Sequence, residues 1–169
     1  MRIETERLII TELDLSMANA VHTGSLDSDT RRFTPDEVFD SEAEAQEAIK
    51  FLTSRYQTAQ GPFVYAVLLK DGTYVGYVQA ISLENNGWEI GYHTVKCYTG
   101  MGYATESVTA FLPIIMKRLS INEINGICIS DNLASVKVLE KCGFTKQYEG
   151  AGTFQGKKHN ICKYVYSMQ

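Results

Sequence analysis

Asp71-Gly72 separates two runs, "FVYAVLLK" (Phe63 to Lys70) and "TYVGYVQAISL" (Thr73 to Leu83), both rich in β-branched and aromatic residues. Aspartate followed by glycine suits the positive φ angles of a two-residue hairpin turn, so this stretch commits the chain to antiparallel pairing. Asn85-Asn86-Gly87 offers a second turn into Trp88 to His93. Three successive antiparallel strands are therefore predicted in the middle of the chain.

Around this meander the periodicity changes. Arg7 to Leu13 reads as a strand with Leu8 and Ile10 on one face. Asp14 is placed to cap a short helix that buries Leu15, Ala18 and Val21. Gly24 to Asp40 is polar, turn-rich and broken at Pro35, and reads as a long irregular connection of the kind that often carries function. Ser41 to Glu44 has the form of a capping box, and the helix behind it aligns Ala45, Ala48, Ile49, Leu52 and Tyr56. A second long helix is predicted from Tyr103 to Leu119, bent at Pro113. Glu123 to Ser130 reads as a buried strand. Asp131-Asn132 then caps a helix with Leu133, Val136 and Leu139 inward, and Gly143 stops it. Tyr148 and "KYVYSM" close the chain as two strands around a Gly150 to Gly156 loop. About seven strands with helices on the sheet faces make an α+β domain, and residues 1–169 fit one such unit.

"CYTGMGYATE" (Cys97 to Glu106) sets two glycines directly before the second long helix. One reading is a tight strand-to-helix turn. The other is a row of backbone N–H groups aimed at an anion, helped by the positive end of the helix dipole.

Composition narrows the classes. A net charge of −4 argues against broad nonspecific nucleic-acid binding, which depends on Lys and Arg. Glu4, Glu6 and Glu12 interrupt the first apolar residues, unlike a signal peptide, and no run approaches the roughly 18 apolar residues of a membrane span. Cys97, Cys128, Cys142 and Cys162 form no C-x-x-C pair. Disulfides are not excluded by spacing, but reduced thiols in a cytoplasmic protein are the expectation. His22, His93 and His159 lack metal-ligand spacing, so no metal site is expected.

With these pieces in place, the chain resembles the Gcn5-related N-acetyltransferase (GNAT) family, close to its RimJ/RimL-like branch. "ETERLIITELDL", "GWEIGYHTVKCYTGMGYATESV", "SDNLASVKVLEKCGF" and the final "YVYSM" carry the resemblance over nearly the whole chain. It implies a mostly antiparallel sheet, splayed to leave a wedge for acyl-CoA, and transfer of acetyl from acetyl-CoA to a primary amine. The acceptor would be a peptide N-terminus or a small molecule, and the protein a monomer or homodimer. The family motif Q/R-x-x-G-x-G/A falls on Thr99, Gly100, Met101, Gly102, Tyr103 and Ala104, with Gly100 the extra glycine common in this branch. Backbone N–H groups from Met101 to Thr105 would meet the pyrophosphate. Thr99 departs from the motif's Gln or Arg. Backbone of Tyr92, His93, Thr94 and Val95 would hold the pantetheine arm in the wedge.

The resemblance also implies roles for side chains. Glu89, on the wedge strand, is the candidate base, with His93 next; a surface carboxylate making an ion pair is the plain alternative for Glu89. Leu139 stands where much of the family has a tyrosine acid, so Ser135 is the candidate donor to the leaving thiolate. Asn132 would bond the pantetheine, cap the helix, or both. Because Thr99 and Leu139 depart from the pattern, a non-catalytic CoA-binding module is the alternative function. The acceptor would enter along Gly24 to Asp40 and Gly150 to Gly156. The excess of acid in the first of these (Asp27, Asp29, Asp36, Glu37 and Asp40 against Arg31 and Arg32) suits a cationic amine, with solvated loop charge as the plain alternative.

Overall fold

The computed structural model describes residues 1–84 and 87–168. The two asparagines of the predicted second turn, Asn85 and Asn86, lie outside the described residues. Among the described residues, eight strands form one sheet: β1 (Arg2–Glu4), β2 (Leu8–Glu12), β3 (Phe63–Leu69), β4 (Tyr74–Ser82), β5 (Trp88–Thr94), β6 (Glu123–Ile129), β7 (Thr145–Phe154) and β8 (Lys157–Ser167). Their spatial order is β1-β2-β3-β4-β5-β6-β8-β7. Every neighbouring pair is antiparallel except β5 with β6, which are parallel. The count exceeds the expected seven because Arg2–Glu4, too short to show a period, pairs with β2.

Five α-helices among the described residues cover the sheet: α1 (Ala18–Gly24), α2 (Ser28–Phe33), α3 (Glu42–Arg55), α4 (Tyr103–Leu119) and α5 (Leu133–Lys141). β3 explains why both faces are covered. Phe63, Tyr65 and Val67 pack with Val108, Phe111, Leu112 and Ile115 of α4, while Val64 and Ala66 pack with Ala18 of α1 and Ala45 and Ile49 of α3. A strand buried on both sides loses the polar alternation of a half-exposed one, hence the near-continuous apolar run in the sequence. Among the described residues, no helix is long and apolar enough to cross a membrane.

The hairpin forms, but over three residues rather than two: Leu69 N donates to Thr73 O at 2.8 Å, Gly72 N donates to Leu69 O at 3.0 Å, and of the Asp71-Gly72 pair Gly72 alone has positive φ, +89°. Ser41 caps α3 by accepting from Glu44 N. Glu44 reaches back one residue further than the box predicts and accepts from Asp40 N at 2.9 Å. Leu15 and Leu133 are corrections: both stand at helix starts and are exposed, at 49% and 64%.

The two segments read as loops are more ordered than expected. Gly24 to Asp40 contains α2 and a 3-10 turn, Pro35–Glu37. Asp27 caps α2 by accepting from Asp29 N and Thr30 N, and the base is closed by Phe39 N donating to Ser25 Oγ at 3.0 Å. Gly150 to Gly156 belongs mainly to β7, which pairs with β8 as far as Phe154. Gly152 serves close approach there rather than a turn, since a Cβ on it would lie 2.3 Å from Ile161 Cδ1.

Candidate active site

β5 and β6 register over two pairs, Glu89 with Asn125 and Ile90 with Gly126. Asn125 Nδ2 donates to the Trp88 carbonyl at 3.0 Å and pins this end. Gly126 lets Leu139 of α5 press onto β6, because a Cβ there would meet Leu139 Cδ2 at 2.5 Å. Past Ile90 the pairing ends, and a cleft of about 900 Å³ lies along β5, β6 and the starts of α4 and α5.

Backbone groups alternate in direction along a strand, and the other edge of β5 is paired with β4. Val95 N donates to Val75 O at 2.9 Å, and its carbonyl accepts from Tyr98 N at 2.8 Å. The His93 carbonyl faces Gly76, where a Cβ would lie 2.0 Å from it. Residues 93 and 95 therefore turn their backbone toward β4, which leaves Tyr92 and Thr94 toward the wedge. The expectation for Val95 is corrected, since both its backbone groups are already used. For His93, the side chain rather than the backbone faces the cleft.

Gly100 and Gly102 have φ of +78° and +83°, so both satisfy a left-handed turn that other residues resist. Gly102 is also the N-cap of α4, and no side chain caps the helix. The amides of the first turn thus keep their donors and the positive end of the dipole. Thr99, Gly100, Gly102, Tyr103, Ala104 and Thr105 line the cleft. Of the two readings of the glycine pair, the tight turn is what these angles show, and it leaves the first-turn amides of α4 without a side-chain cap.

Two residues of the motif behave differently. Met101 is half exposed and is not among the lining residues, and its carbonyl accepts from Arg7 Nη1 at 2.9 Å. Thr99 Oγ1 donates to Lys96 O at 2.8 Å, so its hydroxyl proton is turned into the loop. Arg7 was missed from sequence. Its Nε donates to Glu106 Oε2 at 2.7 Å, while Arg7 N and Thr5 Oγ1 both donate to Glu106 Oε1. This clamp ties the start of β2 to the first turn of α4. The available signal was a glutamate in that turn, where the helix dipole favours it.

Deeper in the cleft stand Glu89, His93, Asn132 and Ser135. Glu89 is partly buried, and burial first, then the negative charge of Glu37, pushes its carboxyl up to about 7. His93 Nε2 lies 2.9 Å from Thr30 Oγ1, which donates to Asp27 Oδ2 at 2.6 Å. A hydroxyl has one proton, so His93 must donate from Nε2. Burial pulls the His93 pKa down, with Asp27 opposing, and the ring is neutral at neutral pH. Asn132 caps α5, its Oδ1 accepting from Ser135 N at 3.2 Å. Ser135 Oγ lies 2.8 Å from the Tyr92 hydroxyl, which also donates to the Ser135 carbonyl at 2.9 Å. The Tyr92 side chain was a second omission, since only its backbone was expected to matter.

The Gly24 to Asp40 segment stands over the cleft. Arg32 pairs with Asp131 at 3.5 Å, and Asp36 N donates to Gln155 Oε1 at 3.3 Å. Among the described residues, no cluster of three or more His, Cys, Asp or Glu side chains could hold a metal ion.

Residues 7–145 match the model of the acetyltransferase (GNAT) domain. The chain belongs to the GNAT acetyltransferase family. With membership comes the family's reaction class, acyl transfer from acetyl-CoA. YnaD of Bacillus subtilis, an uncharacterized N-acetyltransferase, is 24% identical over 148 residues, 87% of this chain and 84% of YnaD. Two solved structures share the fold. An acetyltransferase of the GNAT family from Bacillus anthracis superposes with a TM-score of 0.83 at 23% identity, over 99% of this chain and 98% of its own. RimL, a ribosomal-protein alpha-N acetyltransferase in complex with coenzyme A, does so with a TM-score of 0.84 at 21% identity, again over 99% and 98%.

Proposed function

We propose that this GNAT chain is one catalytic domain that moves acetyl from acetyl-CoA to a cationic primary amine by direct attack in a ternary complex. The observation that carries the reading is the parting of β5 from β6 beside an uncapped helix N-terminus, with Glu89 on the same strand. First-turn amides of α4 take the pyrophosphate, and the wedge-facing backbone of Tyr92 and Thr94 takes the pantetheine arm. Asn132, already capping α5, has its amide N–H groups for the same arm.

An amine reaches the cleft largely as ammonium at neutral pH and cannot attack until it sheds a proton. Glu89 accepts it, directly or through water, because a carboxylate held near 7 is matched to that task. The nitrogen then attacks the thioester carbonyl, and a β5 N–H stabilises the oxyanion. The carbon–sulfur bond breaks as the carbonyl reforms. Ser135, oriented by the Tyr92 hydroxyl, gives its proton to the departing thiolate and regains one from solvent. The amide nitrogen loses its remaining extra proton, so acetylated amine, CoA thiol and one net proton leave.

RimL's described activity on ribosomal proteins supports peptide N-termini as the first acceptors to try, beside small amines. The test is CoA thiol release with a panel of both. A second reading, a CoA-binding module without turnover, draws on Leu139, which is buried against Gly126 and offers no proton. It predicts stabilisation by acetyl-CoA and no thiol release with any amine.

A further inference from the structure

Glu37 has no part in that chemistry, yet the sheet is arranged around it. Register places Tyr77 across from His93, Gln79 across from Gly91 and Ile81 across from Glu89, so these side chains share one face. Gly91 makes the gap between Glu89 and His93. A Cβ there would fall 2.7 Å from Gln79 Nε2, so only glycine lets Gln79 lean across β5. Gln79 Nε2 then donates to Glu37 Oε1 at 3.2 Å, and the Tyr77 hydroxyl donates to Glu37 Oε2. Tyr77 is held in turn by its stack on His93, with ring centres 5.5 Å apart.

The two carboxyls are not equivalent. Glu37 receives a donor on each oxygen, and donors aimed at both favour the ionised form. Among the described residues no side chain hydrogen-bonds Glu89. When two carboxyls share a desolvated space, the one that receives more hydrogen-bond donors takes the charge and the other keeps its proton longer. We propose that Glu37 is a positioning residue for acetyl transfer: its clamped carboxylate fixes Glu89, and not itself, as the group that takes the acceptor's proton. The inference rests on Glu89 being the base.

Burial acts against that ionisation and is the largest influence on Glu37: its carboxyl is raised on balance, with Asp36 adding to the rise and the Tyr77 and Gln79 donors opposing it, so it is these donors that give Glu37 its advantage over Glu89. Tyr74 and Tyr77 are pushed up by burial and by Glu37, so both stay neutral. His93 is neutral, and burial raises the Cys128 thiol to about 11. Asp27 is engaged with Thr30 and faces His93. Lys96 and Arg32, at the rim, pair with Asp29 and Asp131. Lys137 and Lys141 of α5 also line the cleft and are exposed, and among the described residues no cation forms an ion pair with Glu37 or Glu89 to offset their like-charge coupling.

The test is carbon NMR titration of protein labelled at the glutamate carboxyl, in complex with CoA, with Glu89→Gln assigning the Glu89 signal. Glu89 should titrate near 7 in the wild type. In Glu37→Gln its midpoint should fall by about one pH unit or more. Tyr77→Phe keeps the ring on His93 and removes one donor; it should raise the Glu37 midpoint and lower that of Glu89, and it decides the matter if Glu37→Gln does not fold. An unmoved Glu89 midpoint in the folded variants overturns the role of Glu37 and leaves the base in place. A wild-type Glu89 midpoint in the ordinary carboxylate range overturns the base itself.

Discussion

Replacing Glu89 with glutamine should make the protein more stable while disabling it, and the gain should depend on pH in a defined way. The folded carboxyl is held near 7 against an ordinary value of 4.5, chiefly by burial. A carboxyl with a raised folded pKa binds its proton more tightly folded than unfolded. Its contribution is therefore intact below about pH 4.5 and is lost as pH rises toward 7. At about 1.4 kcal/mol per unit, the loss reaches about 3 kcal/mol at and above pH 7. Glutamine does not titrate, so Glu89→Gln escapes it. The two proteins should melt together near pH 4.5 and separate by roughly 6–12 °C at pH 8, taking about 2–4 °C per kcal/mol at this size. Thermal melts of both proteins without ligand, from pH 4.5 to 8.5, make the measurement. A difference that stays constant across that range would mean the carboxyl is not desolvated, and the reasoning that makes it a base would fail. The variant should also lose about 10²-fold or more in kcat/KM.

Ser135→Ala should lower kcat by up to about 10²-fold and leave acetyl-CoA affinity nearly unchanged; Tyr92→Phe should do likewise, and the double variant should fall no further, as steady-state kinetics would show. Thr99→Arg should tighten CoA binding by calorimetry, because the threonine proton is given to Lys96 O and a guanidinium would add a donor fork for phosphate. Arg7→Ala should weaken CoA binding roughly tenfold, about the worth of one charge-assisted hydrogen bond, by releasing the Met101 carbonyl and Glu106 from β2.

What could be read in advance was local. The Asp71-Gly72 hairpin, the Ser41 cap, the Gly143 stop and the left-handed glycines before α4 each depend on residues a few places apart, where backbone preference decides. The features missed join distant segments. Arg7 meets Glu106, Tyr92 meets Ser135, and Glu37 meets Tyr77 and Gln79 only because the strand order brings them together. Gly24 to Asp40 was misread because α2 shows no apolar stripe; Asp27 and Thr30, one turn apart and bonded to each other, were its one legible cap. Gly150 and Gly152 in β7, with Gly156 just beyond it, made this stretch look like a loop, although Gly152 is there to admit Ile161. Of the acids in the first segment, Asp27, Asp29 and Asp40 serve a cap or an ion pair, and Glu37 turns into the cleft. Composition could count these acids but could not tell which one faced inward.

The central claim is that the α4 N-terminus seats acetyl-CoA for transfer to an amine. It is tested most directly by incubating the protein with acetyl-CoA and a panel of amines, including short peptides with free N-termini and diamines. Acetylated products are read by mass, with wild type beside Ala104→Glu. Ala104 lies in the first turn of α4, where glutamate suits the helix dipole and preserves the fold while crowding and repelling the pyrophosphate. The wild type should yield an acetylated amine and Ala104→Glu none above background, with the variant melting at or above the wild-type temperature. Undiminished product from a folded Ala104→Glu would contradict the cofactor site, and no product from any amine with the wild type would contradict the catalytic claim.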